Sequence, residues 1–353
     1  MGLNDRIERL RQRLAEEQLD GLLVSQAENC RYLSGFTGSP VALLVSSGSA
    51  VLGADSINFQ QAKLEVTGID VRLVRTRVEG LAELVGVEDI GRLGFEANTL
   101  AFSEVQRLTV QAEGLDIQLV PTEAMVETLR AVKENEEIPF LREAARLADE
   151  AVQFALDTLH PGMSERQAAW AIERFLRENG SEALPFEVIV ASGRNSALPH
   201  ARPTERPIGE REPVVLDLGA RKGGYASDLS RTLCFGPQPK TFKRLYSIVR
   251  EAQEAALDGV RPGMTGEEVD GIARQVIEEA GYGDAFGHRL GHGVGLDVHE
   301  QPRLGPRATD VLAEGMVFTI EPGIYIPGWG GIRIEDTVML TATRAEALTT
   351  SAK

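Results

Sequence analysis

Ile7, Leu10, Leu14 and Leu19 recur near the three-to-four residue spacing of a helix that buries one face, and the apolar run GLLVS follows at 21–25. Further short apolar runs, VALLVSS, AVLGA, DVRLVR, RLGFE and DIQLVP, alternate with turns and helical stretches as far as residue 121. That alternation predicts an α/β unit. The sequence PTEAMVETLRAVKENEE at 121–137 turns charged and helical and leads into a long helix from about Glu136 to Leu159. The change of pattern divides the chain into domains 1–130 and 131–353.

The second domain repeats itself. His160-Pro161-Gly162-Met163-Ser164 is matched by Arg261-Pro262-Gly263-Met264-Thr265, and Gly180 by Gly281, both 101 residues on and with no gap. In each copy Pro-Gly ends one helix and Ser or Thr can cap the next. Strand pairs follow in both: PVVLDLGA with YASDLSRTLCF, joined by Arg221-Lys222-Gly223-Gly224, and MVFTIEPGIYI with GIRIEDTVML, joined by Pro327-Gly328-Trp329-Gly330. The expected architecture is a duplicated α+β unit whose pseudo-twofold axis brings the two hairpins together.

Those hairpins carry acids in apolar surroundings. Asp217 lies within Val214-Val215-Leu216-Asp217-Leu218 and Glu321 follows Phe318-Thr319-Ile320, while Asp228 and Glu335 sit across the two hairpins. A carboxylate so placed needs a cation or hydrogen-bond partners to offset its desolvation. Three of the five His, 288, 292 and 299, fall within twelve residues, among glycines that permit close backbone approach. Four carboxylates and an imidazole form an oxygen-rich set suited to Mn²⁺, with Co²⁺, Fe²⁺ or Zn²⁺ as alternatives. Two ions about 3.5–4 Å apart, bridged by acids and a hydroxide, would use all four acids and generate a nucleophile near neutral pH. The chemistry implied is metal-assisted hydrolysis.

Composition narrows the setting. Against 53 Asp and Glu stand 37 Lys and Arg, a net charge of −16 with no basic run, so nucleic acid is not an expected partner. Two Cys form neither a disulfide framework nor a structural zinc site. The charged start MGLNDRIERLRQRLAEEQ is not a secretory signal. The uncharged run from Tyr32 to Ala54 reads as strands and turns rather than a membrane span, because eleven of its 23 residues are Ser, Thr, Gly or Pro. A cytoplasmic protein without a membrane partner is expected.

The motifs SGRNSALPH (192–200), LDLGARKGGYASDLSRT (216–232), HRLGHGVGLDVHE (288–300), GMVFTIEPGIY (315–325) and GIRIEDT (331–337) resemble those of the pita-bread metallopeptidases. That family includes Xaa-Pro aminopeptidase, Xaa-Pro dipeptidase (prolidase), methionine aminopeptidase and creatinase. The resemblance spans the chain and implies an N-terminal creatinase/prolidase-like α/β domain before a pita-bread catalytic domain. It implies Asp217, Asp228, His292, Glu321 and Glu335 as ligands of two metal ions. It makes His200 and His299 the pair that contacts the substrate and supports the tetrahedral intermediate, with Glu321 also moving protons. His288 resembles a residue lining the proline pocket, Arg333 a group orienting the site through a neighbouring acid, and Tyr225 and Tyr325 further pocket residues. His160 has no counterpart role and reads as a surface residue.

The long N-terminal domain and His288 set the chain apart from methionine aminopeptidases, and the intact ligand set from creatinase. What remains is hydrolysis of an Xaa-Pro bond. Prolidases that resemble this chain place an Arg for the proline carboxylate on an N-domain loop, yet there is no Lys or Arg between Arg31 and Lys63, and Asp55-Ser56-Ile57-Asn58-Phe59 stands where relatives carry Asp-x-Arg-Tyr. The expectation is therefore an Xaa-Pro aminopeptidase acting on peptides with proline second. The dipeptidase is the alternative, and a catalytically silent binding module a remote one. The family resemblance also implies a homodimer.

Overall fold

The computed structural model describes residues 2–86 and 89–353, and the chain divides into two compact units, Met1–Arg130 and Ala131–Lys353. The first unit is built on six strands, β1 (Gly21–Val24), β2 (Ala42–Ser46), β3 (Ala50–Ala54), β4 (Asp70–Leu73), β5 (Arg92–Glu96) and β6 (Gln118–Thr122), in the order β4-β3-β2-β1-β5-β6. The pairs β1–β5, β5–β6 and β3–β4 are parallel, and β1–β2 and β2–β3 antiparallel. Each of the six apolar runs thus forms a strand. Helix α1 (Leu3–Glu16) buries Ile7, Leu10 and Leu14, whereas Leu19 lies past the helix end and is buried on the way into β1. Helices α2 (Ala27–Ser34), α3 (Phe59–Glu65), α4 (Leu81–Val85) and α5 (Phe102–Glu113) complete the alternation.

The stretch 121–137 is less helical than its composition predicts. Only α6 (Glu127–Ala131) forms there; Val132 bridges Met316, and the Lys133 amide donates to Gly315 O at 2.9 Å. Backbone pairing overrides helix propensity at this point.

The second unit contains the repeat as two similar halves. The first comprises α7 (Ile138–Thr158), α8 (Glu165–Glu178), β7 (Ile189–Ser192), β8 (Val214–Leu218), β9 (Arg221–Lys222), β10 (Tyr225–Ala226) and β11 (Leu229–Leu233). The second comprises α9 (Lys240–Gly259), α10 (Gly266–Glu279), β12 (Gly291–Gly293), β13 (Glu300–Leu304), β14 (Val317–Ile320), β15 (Gly323–Ile326), β16 (Gly330–Arg333), β17 (Asp336–Leu340) and β18 (Ala345–Ala347). Ser164 and Thr265 each close a capping box on the following helix, with Gln167 and Glu268 as the reciprocal partners. Gly162 and Gly263, at φ +92° and +91°, make the same left-handed turn before each cap, and their amides donate to Ile208 O and Leu312 O, both at 2.8 Å. Each half buries its own core. Leu147, Val152, Ile172 and Leu176 pack on Val190, Leu216 and Leu229, while Leu245, Val249, Val269 and Ile277 pack on Phe318, Ile320 and Val338.

The sheets run β11-β8-β7 and β13-β12-β14-β17-β18. Neither hairpin is continuous. The β8–β11 pair gives way to the short β9–β10 pair, and β14–β17 to the separate β15–β16 pair. Pro322, which lacks an N–H, marks one break. Asp228, Glu321 and Glu335 all sit at such breaks, where the backbone leaves one ladder before joining the next.

Candidate metal centre

The halves meet along β11. Asp228 N donates to Thr337 Oγ1 (3.3 Å) and Thr337 Oγ1 to Asp228 O (2.7 Å). Two residues on, Glu335 N donates to Ser230 O (3.1 Å) and Ser230 Oγ to Glu335 Oε2 (2.6 Å). Two further on, Thr232 Oγ1 donates to Arg333 O (2.8 Å) and Arg333 N to Thr232 Oγ1 (3.0 Å). The hydroxyls of Ser230 and Thr232 on β11 and of Thr337 on β17 thus stitch residues 228–232 antiparallel to residues 333–337, and this seam draws the acids of both halves together.

Asp228 Oδ2 lies 3.6 Å, and Glu321 Oε1 3.3 Å, from His292 Nε2. One ligand atom from each of Asp228, His292 and Glu335 falls within 4.8 Å of the others. Asp217 is directly opposite Ser230 in the β8–β11 pair, and so reaches the Glu335 side of the cluster. Its Oδ2 accepts from Arg333 Nη2 at 2.5 Å. His292 is held by strand geometry: a Cβ at Gly291 would lie 2.0 Å from Thr319 O, and one at Gly293 2.0 Å from Gln301 O. Glycine on both sides is therefore what lets β12 fit between β13 and β14. His292 Nδ1 donates to Gly293 O at 3.1 Å, which aims Nε2 at Glu321 and Asp228.

The donor set fits divalent cations. Asp217 Oδ1 and Glu335 Oε1 are buried and meet no hydrogen-bond donor among the described residues, although the other oxygen of each carboxylate accepts a hydrogen bond. Burial, then the charges of Glu335, Asp217 and Glu321, push Asp228 well above the usual carboxylate range. Burial and the charges of Glu321 and Asp217 do the same to Glu335. Glu321 goes the other way. Burial raises it, but the hydrogen bond and charge of His292, with His288 and Arg333, hold it low. Burial lowers the His292 imidazole, yet the hydrogen bond and charge of Glu321, with the Gly293 carbonyl and the Asp217 charge, more than reverse this. Without positive charge in their midst, these acids cannot all ionise together. Two divalent ions would supply it.

Arg333 is 3% exposed, and its guanidinium makes four hydrogen bonds. It donates to Asp217 Oδ2, Ser230 Oγ (2.8 Å), Pro199 O (3.0 Å) and Tyr325 Oη (3.0 Å). His288 Nδ1 donates to Arg289 O at 2.7 Å, leaving Nε2 to accept from Tyr325 Oη at 3.1 Å. Burial pushes the Tyr325 hydroxyl up to about 12 and the His288 imidazole down. The exposed His299 ring lies 4.3 Å from that of His292, centroid to centroid. His200 is exposed, and its charge acts on both His288 and His299. Tyr225 takes a different place: its ring stacks on Phe140 and its hydroxyl donates to Glu137 Oε1 at 2.8 Å, which turns it toward α7. His160 is exposed beside Pro161 O.

Several further residues support the site. Thr319 Oγ1 accepts from His292 N (3.1 Å) and donates to Glu321 Oε1 (3.1 Å). Asp270 accepts from Leu290 N (3.0 Å) and from Arg274 (2.6 Å), which in turn donates to Phe286 O and His288 O (both 2.9 Å). Lys133 Nζ meets Glu300 Oε1 at 2.5 Å, with both side chains buried. Asp270 and Leu290, like Lys133 and Glu300, are distant in sequence, so no local spacing signals those contacts. No helix among the described residues is long and apolar enough to cross a membrane.

Comparison with known proteins agrees with this architecture. Residues 140–342 match the model of metallopeptidase family M24, and residues 6–132 that of the creatinase/prolidase N-terminal domain. The chain is 37% identical to an Xaa-Pro dipeptidase of Pyrococcus horikoshii, covering 98% of this chain and 97% of that one. Its fold is similar to that of an Xaa-Pro dipeptidase from Bacillus anthracis (TM-score 0.95, 39% identity, 100% and 99% of the two chains). It is also similar to an X-Pro aminopeptidase from Thermotoga maritima (TM-score 0.89, 36% identity, 98% of each). The chain therefore belongs to metallopeptidase family M24, as a hydrolase with a pita-bread catalytic domain behind a creatinase/prolidase-type N-terminal domain.

Proposed function

We propose that the chain is an Xaa-Pro dipeptidase that uses two divalent ions, Mn²⁺ by preference, held by Asp217, Asp228, His292, Glu321 and Glu335. The buried, donor-free oxygens of Asp217 and Glu335 carry the metal assignment. End-to-end similarity to proteins named Xaa-Pro dipeptidase carries the choice of substrate. It favours the dipeptidase over the aminopeptidase expected from the N-domain sequence. That expectation rested on a missing Arg, and the second unit offers another cation. Arg303 stands directly opposite His292 in the β12–β13 pair, so their side chains share a face, and its exposed guanidinium makes no ion pair among the described residues. In this reading it takes the proline carboxylate, a task suited to a guanidinium.

The scissile Xaa-Pro amide has no N–H, so recognition must come from its carbonyl and its two ends. Bound ions would supply Lewis-acid polarisation and a water acidified toward neutral pH. Glu321 accepts a proton from the attacking water and returns it to the proline nitrogen as the C–N bond breaks. His200 and His299 donate to the oxyanion that forms on the carbonyl carbon. Arg333 keeps Asp217 Oδ1 turned into the site by holding Oδ2.

His292→Ala tests this reading. Metal analysis should find fewer bound ions than in the native chain, and hydrolysis of an Xaa-Pro dipeptide should fall by at least about a thousandfold while the circular dichroism spectrum is retained. Near-normal turnover would sink the assignment.

A further inference from the structure

The loop that carries His200 is closed by a single carboxylate. Glu165, the first residue of α8, is completely buried and accepts five donor atoms from three residues. These are Ser192 N (2.7 Å) and Oγ (2.9 Å), Asn195 Nδ2 (3.1 and 3.0 Å), and Thr204 N (3.0 Å) and Oγ1 (2.6 Å). Ser192 and Thr204 are the two ends of the segment, so one side chain fixes both its feet. The Glu165 amide adds a bond to Arg206 O at 3.0 Å. On the far side, Ser196 Oγ accepts from Gly331 N (2.8 Å) and Pro199 O accepts from Arg333. His200 itself makes no side-chain hydrogen bond among the described residues, so its position is set by the loop alone.

We propose that Glu165 is a positioning residue for His200: by clamping residues 192, 195 and 204 it sets where the exposed imidazole stands against the bound substrate. None of the five metal ligands bonds to Glu165 itself; the loop reaches them through Pro199 O and Arg333. The second half of the repeat uses the same strategy with different residues, because Gly266 occupies the position matching Glu165 and its Cβ would lie 2.0 Å from Arg303 O. There Asp270, one turn further along α10, pins the loop of His288 through Leu290 N and Arg274. A buried acid near the start of the second helix therefore anchors a histidine loop in each half.

The inference rests on the reading of His200 as a group that acts on substrate, and its test separates the two. Glu165→Gln turns an amide toward the donors and should lower kcat for an Xaa-Pro dipeptide about 10- to 100-fold, with KM less affected and bound metal unchanged. In a His200→Ala background the same substitution should lower kcat by no more than about twofold, since both changes act through one imidazole. Asn195→Ala, which leaves Glu165 intact and removes one tie, should show the same loss and the same failure to add. Independent losses that multiply in the double variants would overturn the proposal. Trypsin provides a readout free of activity. Cleavage after the exposed Arg194 should run about tenfold faster in Glu165→Gln than in the native chain. If the native chain proves unable to cut Xaa-Pro bonds, the functional reading fails while the trypsin rate still decides on the clamp; an unchanged rate would contradict it.

Discussion

Asp217 and Glu335 each have one oxygen with a defined neighbour and one buried oxygen without a donor, and the neighbour determines what the acid can do. Arg333 on Asp217 and Ser230 on Glu335 fix the orientation of two carboxylates that would otherwise be costly to bury. The same logic makes Lys133 and Glu300 a sensitive pair, because each is withdrawn from water against the other. Lys133→Met should destabilise the fold by about 3–5 kcal/mol by leaving a buried carboxylate without its ammonium, measured as a shift of the urea midpoint; a change under about 1 kcal/mol would show that the pair contributes little. Arg303→Ala should raise KM for an Xaa-Pro dipeptide at least about tenfold and leave an Xaa-Pro-Yaa tripeptide nearly unaffected, since only the dipeptide presents its carboxylate there. Equal effects on both would remove Arg303 from substrate recognition. The acids and histidines were legible in the sequence because their apolar or glycine-rich surroundings are local. Arg303 was not, because its relation to His292 exists only through strand register. Lys133 and Glu300 were hidden by the length of chain between them, and Glu165 likewise, because Ser192, Asn195 and Thr204 lie 27 to 39 residues further on.

At the scale of elements, the repeat was the most informative feature, since it placed two pairs of acids at equivalent positions before any contact was known. Matched caps at Ser164 and Thr265, and matched left-handed glycines before them, follow from the same Pro-Gly-Met signature. Ser164→Ala and Thr265→Ala should each cost about 1 kcal/mol, and the double variant about the sum. Thermal or urea unfolding would check this, and a clear excess in the double variant would mean that the two helix pairs do not act as separate supports. The seam along β11 was not legible, because Ser230 and Thr232 look like ordinary strand residues until β16 and β17 are laid beside them. Nor were the broken hairpins: the apolar runs continue through Glu321 and Asp228, and only the backbone shows that the ladder changes partner there. Those interruptions place Asp228, Glu321 and Glu335 at strand ends rather than across a continuous sheet.

For the whole molecule, a net charge of −16 includes four carboxylates gathered in one site, and two divalent ions there would offset four charges. Fold and chemistry class followed from patterns within the second unit, whereas the choice between dipeptide and longer peptide did not. That choice depends on what lies beyond the proline: the absence of an N-domain Arg points to an aminopeptidase, whereas relatives named Xaa-Pro dipeptidase that match the chain from end to end favour the alternative. The most direct test is a side-by-side measurement of kcat/KM for an Xaa-Pro dipeptide and the corresponding Xaa-Pro-Yaa tripeptide with the Mn²⁺-loaded enzyme. The dipeptide should be cut at least about tenfold more efficiently, a difference that one well-placed charge pair can supply. Faster hydrolysis of the tripeptide would contradict the dipeptidase assignment.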